Sequence, residues 1–285
     1  MKESSKNLLK TKKLIIIFLF LLSFKLSFAN NDNQYMRDLI IQIKGGKCKY
    51  RSDCSQRNFG EGWLRRHDKE QCIIDAAGCL GTMGPEAKEA VPELIKSLKD
   101  YANVETGDGI IPVRSSIAKA LGQIGDLRAI KPLIEILAST DPVTISESAS
   151  LGPSYQPVER TSHEAVAEAL GMFGPQAKEA VPYIIPLLKY PVDSRSRLKF
   201  APIYAAKALG QIKDPAAISA LIEAIENGPC NTDLCAEEAA EALGNFGPLA
   251  KDGIYTLEEL LRKYPDYLRI TIAIKTALKK IKGEN

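Results

Sequence analysis

Only two histidines, His67 and His163, and a single tryptophan, Trp63, occur in the 285 residues. A metal centre built from several imidazoles is therefore excluded. Neither a glycine-rich phosphate loop ending in Gly-Lys-Ser/Thr nor a Gly-x-Ser-x-Gly elbow is present, which removes the common sequence signatures of nucleotide and ester chemistry. Long apolar runs are also missing. The longest, LIIIFLFLL at 14–22, falls well short of the roughly 20 residues that span a bilayer.

That short run has a context. Five lysines against one glutamate precede it in MKESSKNLLKTKK, and SFKLSFA follows, with Ser27 and Ala29 as the small residues before a cut. Basic segment, short apolar core and small-residue site predict a secretory signal peptide over 1–29, cleaved after Ala29. Six of the 38 basic residues and one of the 35 acidic ones fall in it, so the formal charge of +3 belongs to the targeting segment. The remaining chain is slightly acidic, which speaks against nucleic acid as a partner. The expected location is periplasmic or secreted, with membrane contact only through the signal peptide.

All six cysteines, Cys48, Cys54, Cys72, Cys79, Cys230 and Cys235, come after that cut. An even number in an exported chain predicts disulfides. Cys230 and Cys235 bracket NTDL and are close enough to join, worth roughly 2 kcal/mol as a six-residue loop. Cys72 and Cys79 stand seven apart on one expected helix, a rise of about 10.5 Å, too far to bond each other. If all four remaining thiols are oxidised, Cys48 and Cys54 each take one of them; otherwise one bridge forms and Cys79 stays free and buried.

What the chain has in abundance is repetition. The segments IIDAAGCLGTMG, SSIAKALGQIG, EAVAEALGMFG, YAAKALGQIK and EEAAEALGNFG align on Gly81, Gly122, Gly171, Gly210 and Gly244, and TIAIKTALKKIKG offers Lys279 at the same place. Such spacing, 34 to 49 residues, predicts stacked helical pairs. Ile117, Ala120, Leu121 and Ile124 form one apolar stripe at helical period, and Ile130, Leu133, Ile134 and Leu137 form the stripe of the helix after it. Gly84, Gly125, Gly174 and Gly247 end the first helix of a pair, and Pro or Asp opens the next. Neither stripe can be buried within one pair, so neighbours must stack into a continuous core. Pro186 interrupts one stripe and predicts a break there.

The wording AKALGQIGDLRAIKPLIEIL at 118–137 resembles the HEAT-like repeat of phycobiliprotein lyases, and GPEAKEAVPELI at 84–95 resembles a form common in bacterial HEAT-repeat proteins. The resemblance implies an all-α fold, a right-handed α-solenoid of about six helical-hairpin repeats over 70–285. Residues 30–69 precede it as a cysteine-containing cap. Lyase relatives act on bilin-carrying proteins of the cytosol, which conflicts with an export signal, so the wording is read here as fold alone. Deoxyhypusine hydroxylase, a HEAT-repeat enzyme with repeated His-Glu dyads for iron, is matched only by His163-Glu164, so its ligand set is missing.

The functional expectation is accordingly a scaffold that binds a protein or peptide, with no catalysis of its own and no cofactor. Equivalent positions on successive second helices, Lys96, Glu135, Glu223 and Glu259, grade from basic to acidic and suit a protein partner better than a polyanion. Trp63, Arg65 and Arg66 in the cap form a second candidate surface. The alternative is an enzyme or accessory factor, lyase-like or hydroxylase-like, with a site built from the inserts between repeats.

Overall fold

The computed structural model describes residues 34–45, 68–101, 113–139, 159–190, 200–228, 230 and 233–284. Residues 1–29, expected to be a signal peptide, Cys48, Cys54, Trp63, Arg65, Arg66 and most of the inserts lie outside the described residues. Within them the chain is helical and contains no strand. Helix α1 covers 34–43, followed by α2 (Asp68–Met83), α3 (Val91–Asp100), α4 (Val113–Ile124), α5 (Ile130–Ser139), α6 (Glu159–Met172), α7 (Val181–Ile184), α8 (Ala201–Ile212), α9 (Ile218–Glu226), α10 (Asp233–Asn245), α11 (Ile254–Lys263) and α12 (Leu268–Lys282).

The even-numbered helices from α2 to α12 carry the five Leu-Gly segments and the Leu278-Lys279 copy, and pack in sequence order as one layer, here the A layer. The odd-numbered helices α3 to α11 form the B layer. One hydrophobic core runs from Leu39 of α1 to Ile281 of α12, as expected when every pair depends on its neighbours for burial.

The two layers are spaced by different means. In the A layer a Cβ placed on Gly122 would stand 2.8 Å from the Ala169 Cα, one on Gly171 2.9 Å from Ala208, one on Gly210 2.6 Å from Ala242, and one on Gly244 2.8 Å from Ala277. No real Cβ tolerates such approaches, so helix backbones meet at each glycine and alanine. Across the B layer the links are long side chains: Lys99 of α3 reaches Glu135 of α5 at 2.7 Å, and Thr256 of α11 donates to Glu226 of α9 at 2.6 Å. Neighbouring A helices pack closely along their lengths while neighbouring B helices touch only locally, and a stack closer on one side bends toward that side, so the A face is the inner one.

The turns follow the expected chemistry with one refinement. Gly84, Gly125, Gly174 and Gly247 all have positive φ, near 60° to 70°, and in the fourth repeat Lys213 adopts φ 58° in place of glycine. After a Gly-Pro pair the chain does not enter the B helix directly. It runs through a 3-10 segment, Gly84–Ala90, Gly174–Ala180 or Gly247–Gly253, with non-helical backbone at Ala87, Ala177 or Ala250. In the Gly-Asp form, Asp126 accepts from Arg128 N–H at 3.0 Å, and the Arg128 guanidinium holds the carboxylate and also donates to the Lys88 carbonyl of the preceding repeat at 2.9 Å. Those bonds to Arg128 hold the Asp126 carboxyl down at about 2.

Both ends depart from the repeat. At the start, the buried Gln42 of α1 donates to the Cys72 carbonyl at 2.7 Å, fixing α1 against α2. At the finish, Lys275 and Lys279 of α12 are exposed where internal repeats have buried alanine and glycine. Glu258, which replaces the isoleucine of the B stripe, pairs with Lys282 at 3.1 Å. Cys230 and Cys235 are joined, with Cα atoms 4.4 Å apart. Cys72 and Cys79 are both disulfide-bonded, so Cys79 is not the free thiol that one alternative allowed. As foreseen at Pro186, α7 ends after Ile184 and continues as a 3-10 segment, Ile185–Lys189.

Candidate functional site

The A helices α4, α6, α8 and α10 bury the alanines and the leucine of their Ala-x-Ala-Leu-Gly segments, and the last three of these leave three positions each toward the inner face. In α8 these are Ile203, Tyr204 and Lys207; in α6, Glu164, Ala165 and Glu168; in α10, Glu237, Glu238 and Glu241. Stacking brings these rows side by side in the third to fifth repeats. The result is a band of carboxylates around one phenol, Tyr204, with Lys207 and Arg269 as its cations. Arg269 of α12 holds Glu237 through two nitrogens, at 3.0 and 3.2 Å.

Burial and like charge alter the protonation of this band. Glu164 is pushed up to about 7, because burial disfavours its charge and the one bond favouring it, from the Phe200 backbone N–H, offsets only part of that. Its Oε1 is buried with no hydrogen-bond partner among the described residues. Tyr204 is raised by burial first, then by Glu168, Glu164 and Glu238. Burial and the neighbouring Glu241 and Glu237 raise Glu238, against the opposing pull of Lys207 and Arg269. At neutral pH Glu164 is therefore divided between acid and carboxylate, while Tyr204 keeps its proton. That pairing is suited to moving a proton to or from a bound molecule.

The residues singled out on the B helices lie elsewhere. Glu135 is paired with Lys99 and Glu259 with Arg262. Lys96 borders a polar cleft with Lys44 and Glu93, and those two form an ion pair at 3.6 Å. Glu223 borders a separate cleft in the fourth repeat. The structure does not gather these four into one site. His163 is buried at 2% exposure beside Glu164 in sequence, and no group of three metal-binding side chains exists among the described residues. Sequence reasoning passed over Glu164 and Tyr204. The signal available was a tyrosine where the other repeats carry aspartate, serine, alanine or glutamate, and a glutamate whose position is isoleucine or serine in every other repeat except at Glu237.

Known proteins place this geometry in a lineage. A model of HEAT repeats matches residues 63–151, and a model of the PBS lyase HEAT-like repeat matches residues 202–227. The alpha subunit of phycocyanobilin lyase from Pseudanabaena tenuis is 28% identical over 225 residues, covering 67% of this chain and 80% of that protein. Its counterpart from a Nostoc species is 30% identical over 226 residues, covering 70% of each. Among solved structures, an engineered protein is 19% identical with a TM-score of 0.45, covering 87% of this chain and 98% of its own. The two lyase relatives overturn the expectation of a scaffold without chemistry. Their alignments extend over 225 and 226 residues, far longer than the short turn motifs, so reading the Gly-Asp-x-Arg wording as fold alone was a mistake.

Proposed function

Since this chain belongs to the HEAT-repeat family that includes the phycocyanobilin lyase alpha subunits, we propose that it is a lyase-type subunit acting with a protein partner. The observation that carries this reading is Glu164, a carboxyl raised to about 7 on the inner face of a chain 30% identical over 226 residues to a lyase subunit. Lyase chemistry adds a group to a double bond or removes one, and either direction needs a proton delivered or withdrawn. A carboxyl that titrates near neutrality does both. Tyr204, still protonated, donates a hydrogen bond that orients the ligand.

The test begins with phycocyanobilin itself. Titration into the purified protein is expected to give a saturable change in the pigment's absorption spectrum, with a pH midpoint near 7 that Glu164→Gln abolishes. Absence of any spectral change, at concentrations that saturate the Nostoc relative, would overturn the reading. Export is a second part of the proposal, supported by the basic, apolar and small-residue segments of 1–29. Intact-mass measurement of protein from the producing cell should find a chain beginning at Asn30.

A further inference from the structure

The B layer contains a cleft of about 470 Å³ between the broken helix of the third repeat and α9. Its apolar lining includes Ile185, Leu188, Ala220 and Ala224, and its polar lining includes Lys189 and Glu223. Two independent reductions of volume create it. On one side Pro186 stops α7 after Ile184, and the 3-10 segment Ile185–Lys189 that replaces it is thinner than an α-helix. On the other side α9 carries alanine at both positions that face the break. The residues equivalent to Ala220 are Glu93, Pro132, Tyr183 and Thr256; those equivalent to Ala224 are Ser97, Ile136, Leu187 and Leu260.

A repeat protein that merely tolerated a proline would fill the gap with a larger neighbour, because unfilled apolar space costs stability. Here the neighbour is smaller instead. Local rules broken together at one place mark a site. The volume suits a small organic molecule. Lys189 and Glu223 supply opposite charges beside the apolar surface, and neither has an ion-pair partner among the described residues.

We infer that this cleft binds a small amphipathic organic anion, with its apolar body against Leu188, Ala220 and Ala224. Its acid group meets Lys189, and an N–H or O–H on the same molecule donates to Glu223. The cleft lies on the opposite layer from Glu164 and does not depend on the reaction proposed for that residue.

Anilinonaphthalene sulfonate has all three features, a flat apolar body, an acid group and an N–H, and serves as the probe. Titrated into the folded full chain, it is expected to give a saturable rise in fluorescence. Ala224→Leu, which installs the side chain found in the third and fifth repeats, should weaken binding at least tenfold with no loss in the urea midpoint. Lys189→Glu, at an exposed position that leaves folding intact, should weaken it about fivefold or more. Glu164→Gln should leave it unchanged. Equal dye affinity in the wild type and in Lys189→Glu would overturn the assignment, as would unchanged affinity in a folded Ala224→Leu. Should Ala224→Leu fail to fold, Lys189→Glu decides alone.

Discussion

The A and B layers are built from the same repeats, yet they keep their neighbours at a distance by different physics. Between A helices nothing intervenes except a glycine facing an alanine, so the spacing is set by backbone contact and admits no adjustment. Between B helices the spacing is set by side chains such as Lys99, Glu135, Glu226 and Thr256, which are long, partly exposed and able to re-pose. A rigid inner layer can hold ionisable groups from different repeats at fixed separations. An adaptable outer layer can absorb a proline break and leave a cleft. The inner face therefore suits chemistry and the outer face suits variation.

The sharpest way to break the contrast is to add volume to the A layer. Gly210→Val places a Cβ where the Ala242 Cα already stands at 2.6 Å, and forces α8 and α10 apart. Overpacking of this kind costs roughly 3 kcal/mol or more, well above the small gain in helix propensity from leaving glycine. Urea denaturation followed by circular dichroism should record the loss. A change below about 1 kcal/mol would show that the A layer is no more rigid than the B layer.

Next in size comes the pH response that the inner face generates. Glu164 has a folded pKa of about 7, above its ordinary value of 4.5, so the folded state holds an extra proton between those two values. Stability from this group is complete below pH 4.5, falls as pH rises toward 7, and is lost above it. Glu164→Gln mimics the protonated form, and the variant should be more stable than the wild type at pH 8. The urea midpoint of Glu164→Gln, measured from pH 4.5 to 8, should lack the decline seen in the wild type. Parallel profiles for the two proteins would remove the raised carboxyl from the account.

How much of this could be read from the chain alone depends on the range of the interaction responsible. The repeat count, the glycine turns, the Cys230–Cys235 bridge and the break at Pro186 were all legible, because each arises from residues within about ten positions of one another. The Glu164 proton was not. Its burial and its bond from the Phe200 N–H come from a neighbouring repeat, and Tyr204 feels Glu238 from a third. The row of charges at Lys96, Glu135, Glu223 and Glu259 was legible as a pattern, but which layer lines the inner face is decided by Gly210 meeting Ala242. That contact depends on stacking and not on local sequence.

The smallest effect tests whether repeats can be tightened from the turn side, where the first and second halves of the solenoid differ. Arg128 clamps the second repeat to the Lys88 carbonyl of the first. The third and fourth repeats have the same turn geometry: the Gly174 Cα faces the Gln211 carbonyl as Gly84 faces that of Gln123, and Asp214 accepts from the Ala216 N–H as Asp126 does from Arg128. Only the guanidinium is missing, because Ala216 stands at the arginine position. Ala216→Arg should therefore bond both Asp214 and the Lys178 carbonyl. An exposed clamp of this type stabilises only slightly, because solvent screens it, and is read as a higher urea midpoint. Its pH dependence follows from Asp126, whose depressed pKa means that the contribution is present above about pH 4 and lost as pH falls toward 2. A gain that persisted at pH 2 would point to arginine packing, and no gain at all would mean that the Pro186 break has displaced the third repeat from the register that the first one keeps.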